Sequence, residues 1–323
     1  MTTYKGIKGL SLQTIAGDPS NLALGDIWYD SVAKKVQGAK LPAGAWSTAN
    51  DVNTRKDKGG SSGTAAAAVA FLGTAGPFLA NSEEYDGTSW AEGSNINTAR
   101  SRPTQNIGTQ TAGLCAGGRA SGNEALTEEY NGTSWSESGD LPTGVERGGG
   151  AGTQTAGLSF GGRAGAGTTS AVEAYEYDGT SWADGGDLAV AKHNPFGFGT
   201  QTAAVGAGGY IGPGPFAESF TYDGTSFTET ANINTTRKYG ANGGDSASLG
   251  FIAGGSIADD TAQVHTEEWD GSSWTEVANL NTAQHFNTGC GTNASALAIG
   301  GLPNGDKVES WDHNIAAVTF TSS

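Results

Sequence analysis

The side chains best suited to chemistry in this sequence recur in register. Arg100, Lys192 and Arg237 occupy one repeated position, with Gln284 in the same place. Arg102, Arg147, His193, Lys238, Tyr239, His285 and Phe286 lie beside them, and Arg119, Arg163 and Tyr210 each follow a recurrent pair of glycines. Cations interleaved with aromatics suit recognition of an acidic sugar or a partner protein, and an aromatic ring can stack on a sugar face. The same groups could instead bond to loop carbonyls, pair with the many carboxylates of the chain, or pack between repeats.

Catalysis has less support. The four histidines, His193, His265, His285 and His313, form no close pair with metal-ligand spacing, so neither a metal nor a cofactor is expected. Paired carboxylates for glycoside hydrolysis are conceivable at Glu83-Glu84, Glu128-Glu129 and Glu267-Glu268. Their return at one structural position assigns them to the scaffold. No nucleophile elbow or phosphate loop is present. The expectation is a binding protein and not an enzyme, with a glycan-degrading activity as an alternative.

These residues hang on a repeated hairpin. Tyr85-Asp86-Gly87-Thr88-Ser89-Trp90 returns as Tyr130–Trp135, Tyr177–Trp182, Tyr222–Phe227 and Trp269–Trp274, and a worn copy begins at Trp311-Asp312. The steps between aromatic anchors are 45, 47, 45, 47 and 42 residues. A period in this range marks a repeat architecture. Asp-Gly or Asn-Gly suits a tight turn, and flanking aromatics can pack across paired strands. Glycine pairs recur at 117–118, 161–162, 208–209, 254–255 and 300–301, each after a short apolar run, with Gly73-Thr74 in that place in the first unit. Four strands per unit and six units predict an all-β, six-bladed β-propeller over residues 46–323. The strand begun by Trp46 is favoured to complete the last blade and so remove an open edge, with 317–320 as the other candidate.

In such a blade the Asp-Gly-Thr-Ser and Thr-Gln-Thr turns share one face. The variable segments after the glycine pairs share the other face with the links between blades. Recognition is expected there, because variable loops on a rigid scaffold carry binding.

Residues 1–45 stand outside the repeat. Loosely alternating Leu10, Leu12 and Ile15 lead to the turn cluster at 17–21, and Gly25–Ser31 reads as a strand that 32–38 could pair with. The segment is too small for a large core of its own, so it reads as a short β-rich docking arm, with Ile27, Trp28 and Tyr29 as candidate contacts.

Composition narrows the classes. The 323 residues include 53 glycines, and the formal net charge is −16. Such a charge repels nucleic acid and anionic membranes at long range, so neither is an expected partner. No apolar run is long enough to span a bilayer, and no signal peptide precedes the repeat. Cys115 and Cys290 read as small, buried, unpaired residues.

The diglycine after a short apolar strand, the Tyr-Asp strand and the following Trp resemble the kelch repeat. Asn-x-Asn-Thr replaces the usual Pro-rich link, and Phe227 replaces one Trp. Gly-Thr-Gln-Thr-Ala at 108–112, 152–156 and 199–203, with Gly25–Ser31, is similar to kelch-like proteins of marine bacteriophages. That resemblance implies a virion structural protein of a tail or fibre. The arm would dock to other virion proteins, the loop face would meet a host-surface glycan or receptor, and a homo-oligomer would be possible. A capsid decoration protein without a host ligand is the alternative.

Overall fold

The computed structural model describes residues 13–17, 19, 26–40, 44–104, 107–165, 169–212, 214–313 and 316–319. Leu10, Leu12, Asp18, Ser20, Asn21, Gly25 and Phe320, drawn on above, lie outside the described residues, as do Ala166, Gly167 and Pro213 of the variable segments. Among those described, every regular element is a strand and none is a helix. The chain divides into two units, Met1–Gly44 with His313–Ser323, and Ala45–Asp312.

The larger unit contains six four-stranded antiparallel sheets. The first runs Gly60–Thr64, Ala67–Phe71, Ser82–Tyr85 and Trp90–Glu92. The next four repeat this order, beginning at Gly108, Gly149, Phe196 and Ala241. The sixth joins Thr288–Gly291, Ser295–Ile299 and Val308–Asp312 to Ala45–Thr48 from the other end of the unit. First strands of successive sheets touch one another, and Thr288–Gly291 touches Gly60–Thr64, which closes the cycle. This arrangement is consistent with a β-propeller-like fold. Ring closure falls to Trp46, paired in register with Trp311. Ala316–Thr319 instead pairs with Lys35–Lys40 in the smaller unit, so the C-terminal segment does not continue the repeat.

Why first strands are glycine-rich follows from crowding at the centre. A Cβ on Gly197 would lie 2.7 Å from the backbone N and O of Gly150, and one on Gly243 would lie 2.6 Å from the oxygen of Gly291. Apolar residues fill the spaces between sheets, for example Leu158, Phe160, Ala204 and Phe220.

Repeat residues stitch each sheet to the one before it. Trp182 Nε1 donates to Thr127 Oγ1 at 2.9 Å, Trp274 Nε1 to Ser219 Oγ at 3.1 Å, and Trp46 Nε1 to Thr266 Oγ1 at 2.9 Å. Phe227, which has no ring N–H, packs in a cluster with Ala174, which has no hydroxyl. The Tyr130 hydroxyl donates to Glu84, Tyr177 to Glu129 at 2.5 Å and Tyr222 to Glu176 at 2.7 Å. In each Asp-Gly hairpin the Asp accepts from two backbone N–H groups, as Asp86 Oδ1 does from Thr88 and Ser89 at 2.8 and 2.7 Å.

In the smaller unit Gln13–Ile15 runs parallel to Ile27–Asp30, which pairs antiparallel with Lys35–Lys40. Asp30 Oδ1 accepts from the N–H groups of Gly17, Val32 and Ala33 and fixes the turn. Of the expected docking residues, Trp28 is buried, Tyr29 is half-buried and Ile27 is exposed. The buried indole is therefore a packing residue, a correction to its reading as a docking contact.

Candidate functional site

Three consecutive residues lead into the first strand of every sheet, and each of the three does a different job. The triplets are Lys56-Asp57-Lys58, Arg100-Ser101-Arg102, Val145-Glu146-Arg147, Lys192-His193-Asn194, Arg237-Lys238-Tyr239 and Gln284-His285-Phe286.

The first residue of the triplet is a clamp. Its carbonyl accepts from the glycine-pair segment of the sheet before: Gly118 N–H donates to Val145 O at 2.7 Å, Gly162 to Lys192 O at 2.8 Å and Gly209 to Arg237 O at 2.9 Å. Glycine suits five of the six sheets there, since a Cβ on Gly117 (φ 64°) would lie 2.3 Å from Val145 O. In the first sheet this place is held by Leu72 (φ 60°) and Gly73, one residue earlier than the sequence register suggested. The clamp side chains turn inward. Lys56 meets Glu83 at 2.8 Å, Arg100 meets Glu128 at 2.6 Å, and Arg237 meets Glu267. Arg100 also donates to Cys115 Sγ at 3.2 Å. Lys192, whose counterpart is aromatic, lies 4.4 Å from the Phe220 ring centre and 4.6 Å from that of Phe216. Arg100 and Arg237 are fully buried, and Lys192 nearly so. The expectation that these three meet a ligand is corrected: they hold the sheets. The first Glu of each doublet is thereby committed to the scaffold.

The second residue is buried in every triplet but the last. His193 is 2 % exposed, its Nδ1 is 2.8 Å from Ser170 Oγ, and its ring packs at a tilt against Tyr210 with centroids 4.9 Å apart. Burial pushes its pKa down to about 3, and Arg163, Arg147 and Lys238 add to the shift. It too is packing, not a ligand contact. His285 is half-buried against Phe286. Burial lowers its pKa.

The third residue forms a ring. Lys58, Arg102, Arg147, Asn194, Tyr239 and Phe286 all have φ between 56° and 64°. The Arg102 N–H donates to Lys58 O at 2.7 Å, Arg147 to Arg102 O at 2.9 Å and Asn194 to Arg147 O at 2.8 Å. Phe286 donates to Tyr239 O at 2.7 Å and Lys58 to Phe286 O at 2.9 Å. The six residues line a cavity of about 40 Å³ together with Pro103, Pro195 and Asn287. Left-handed geometry in six non-glycine residues costs roughly 1–3 kcal/mol each, and such strain concentrates at functional sites.

Chemistry differs around this ring. Lys58, Arg102 and Arg147 form a cationic arc, Asn194 an amide, and Tyr239 and Phe286 an aromatic arc with centroids 4.2 Å apart. Lys58 Nζ lies 4.6 Å from the Phe286 ring centre, and Arg147 donates to the Tyr239 hydroxyl at 2.7 Å. Beneath the arc, the buried Glu146 is within 3.0 Å of Arg102, 3.6 Å of Arg119 and Arg147, and 3.8 Å of Arg163. Lys58 pairs with Asp57 at 3.0 Å and Lys238 with Asp260 at 2.9 Å. Six cations against three carboxylates leave three positive charges in excess, inside a chain of net charge −16. Lys238 also caps Tyr210 and Tyr239, at 4.5 and 4.7 Å from their ring centres.

Of the expected binding residues, then, Arg147, Tyr239 and Phe286 line the cavity, Arg119 and Arg163 stand around Glu146, and Tyr210 lies against His193. Lys58, Asn194 and Asn287 are additions. The repeat register carried the signal for Lys58 and Asn194, two positions after the clamp. At the other end of the first strands a cavity of about 240 Å³ is lined by Thr64, Thr109, Thr153, Thr200, Asp245 and Thr292 with adjoining glycines. It offers hydroxyls and a single carboxylate but no cation or aromatic ring.

Gln110 shows what the Thr-Gln-Thr turns do: its Nε2 donates to Ala68 O at 3.1 Å and Tyr85 O at 2.7 Å in the sheet before. Gln154 and Gln201 repeat both bonds. Both cysteines are free and buried, and burial pushes Cys115 up to about 11 and Cys290 to about 12, as suits inert thiols.

No known family model matches the chain, and no curated protein is a match to it.

Proposed function

We propose that this chain is a six-bladed, kelch-like propeller serving as a non-catalytic recognition module of a bacteriophage virion, associated with a tail or fibre. Its loop face binds a host-surface glycan or protein, and the smaller unit docks it to other virion proteins. The observation that carries the binding role is the cationic and aromatic ring on that face of an otherwise acidic chain. Six four-stranded sheets in a closed cycle support the blade count. The glutamate doublets support a non-catalytic role, being engaged between strands. The virion setting rests on the sequence resemblance.

The test has two readouts. Antibody against the chain should label tails or fibres of intact particles, and the full-length protein added to host cells should block adsorption. Label spread over heads with unaffected adsorption would make it a decoration protein. Particles without label would overturn the virion role.

A further inference from the structure

The geometry points to a carboxylate-bearing saccharide, of the uronic acid kind, as the ligand of the ring formed by Lys58, Arg102, Arg147, Asn194, Tyr239 and Phe286. This deepens the proposed glycan reading and rests on it. A backbone repeated six times presents unlike side chains here: cations on one arc and aromatic rings on the other. A sugar acid has the same two ends, an anion and an apolar ring face.

Size selects which end enters. About 40 Å³ holds a few water-sized groups, at about 10–15 Å³ each. That admits the oxygens of one carboxylate but not a pyranose ring, which must rest above on Tyr239 and Phe286. Geometry selects the anion: guanidinium forks match a planar carboxylate in two-point contact. Among the described residues Arg102 Nε and Asn194 Nδ2 are buried without hydrogen-bond partners, and Arg147 Nε has only Glu146 Oε1 at 3.6 Å.

A second observation is independent of the charges. Asn287 is 1 % exposed and lines the cavity, and among the described residues neither its Nδ2 nor its Oδ1 has a hydrogen-bond partner. A buried primary amide left without partners is costly, and a ligand carrying both an acceptor and a hydroxyl satisfies it once the side chain turns from Gly254 into the cavity. Uronic acids carry both. Whole-chain charge selects against the alternatives: a net charge of −16 repels heavily charged polyanions during approach, whereas a ligand with one carboxylate meets mainly the local excess of three positive charges.

Titration calorimetry on the full chain with glucuronate, glucose and inorganic sulfate tests this, beside a screen of neutral glycans and a host-cell binding assay. Glucuronate should bind and glucose should not. Binding should weaken at least tenfold in Lys58→Gln and in Arg147→Gln, and severalfold in Phe286→Ala, while Glu137→Gln on a distant strand changes nothing. Thermal melting of each variant separates lost binding from lost folding, and Lys58→Gln, at a partly exposed side chain, keeps the test alive should Arg147→Gln unfold. Sulfate bound as tightly as glucuronate, with no effect of Phe286→Ala, would overturn the saccharide assignment in favour of a simple anion site. Neutral glycans bound independently of Lys58 and Arg147 would overturn this site and leave the glycan reading standing. Binding to neither glycans nor host cells would remove both.

Discussion

Trp46 stands opposite Trp311 in register, with ring centroids 5.4 Å apart, although the two residues come from opposite ends of the repeat. This pair closes the cycle of sheets, because Ala45–Thr48 is the fourth strand of a sheet whose other three lie between 288 and 312. Trp46 also packs on Phe251 and donates to Thr266 in the preceding sheet. Replacing Trp46 by Ala should cost about 3–5 kcal/mol, as for other large buried aromatics. Urea unfolding followed by tryptophan fluorescence measures it; an unchanged midpoint would show that closure does not depend on this strand.

The Arg237–Glu267 pair is expected to tolerate replacement only as a set. Glu267 also accepts from the backbone N–H groups of Asn234 and Thr235. Removing one partner of a buried ion pair costs about 3–5 kcal/mol, because the other charge is left alone, so Arg237→Val should be that damaging. The third sheet shows how the chain dispenses with the pair: Val145 replaces the cation, Tyr175 the carboxylate, and Pro142, which has no N–H, the Asn. The triple variant Asn234→Pro, Arg237→Val, Glu267→Tyr copies that solution and should recover most of the loss. Denaturant midpoints of the single and triple variants decide it. A triple variant no more stable than Arg237→Val would mean that the third sheet's solution does not transfer.

How much of this was legible follows from which residues repeat. Tyr-Asp-Gly-Thr-Ser-Trp announced the hairpins because turn chemistry and cross-strand packing are local. The pairing of Trp46 with the last sheet could be favoured from the missing strand alone. The clamp and ring were not separable in the same way. Arg100 and Arg102 are two residues apart and chemically alike, yet one is fully buried against Glu128 and the other lines a cavity. What divides them is the left-handed turn of the backbone at Arg102, and in non-glycine residues such a turn leaves no mark in the sequence. Phe227 stands where the other hairpins carry Trp. Across the interface, the Ser or Thr that accepts from a Trp elsewhere is Ala174, and the two substitutions compensate.

Gln154 gives a smaller, cleaner prediction. Its amide nitrogen donates to Gly113 O and Tyr130 O at 3.1 and 2.7 Å, joining one sheet to the next. Gln154→Ala strands both carbonyls, a loss of roughly 1–3 kcal/mol. Gln154→Glu should be at least as damaging, since a carboxylate facing two carbonyl oxygens repels them. Thermal melts should rank wild type above Gln154→Ala, and Gln154→Ala at or above Gln154→Glu. The opposite order for Glu would mean that the side chain turns to solvent.

His193 should make folding sensitive to acid over a defined window. Its imidazole is buried among Arg163, Arg147 and Lys238, packed against Tyr210 and bonded to Ser170, and its pKa is pushed down to about 3. An unfolded chain would protonate it near the ordinary value of about 6.5. Between those values the unfolded state holds a proton that the folded state refuses, so stability falls as pH drops from about 6.5 towards 3 and is unaffected above that range. The folding constant should drop by up to about tenfold per pH unit within the window from this group. His193→Gln removes the titration, so the difference between wild type and variant in urea midpoint should shift in the variant's favour between pH 7 and pH 4.5. Carboxylates common to both proteins cancel in that comparison. A difference that stays constant with pH would show that His193 can take up its proton in the folded protein. A carboxylate ligand held by Arg147 would offset part of the positive field on the same imidazole, so glucuronate should raise its pKa, and the titration of His193 followed by NMR would report on the occupancy of the ring.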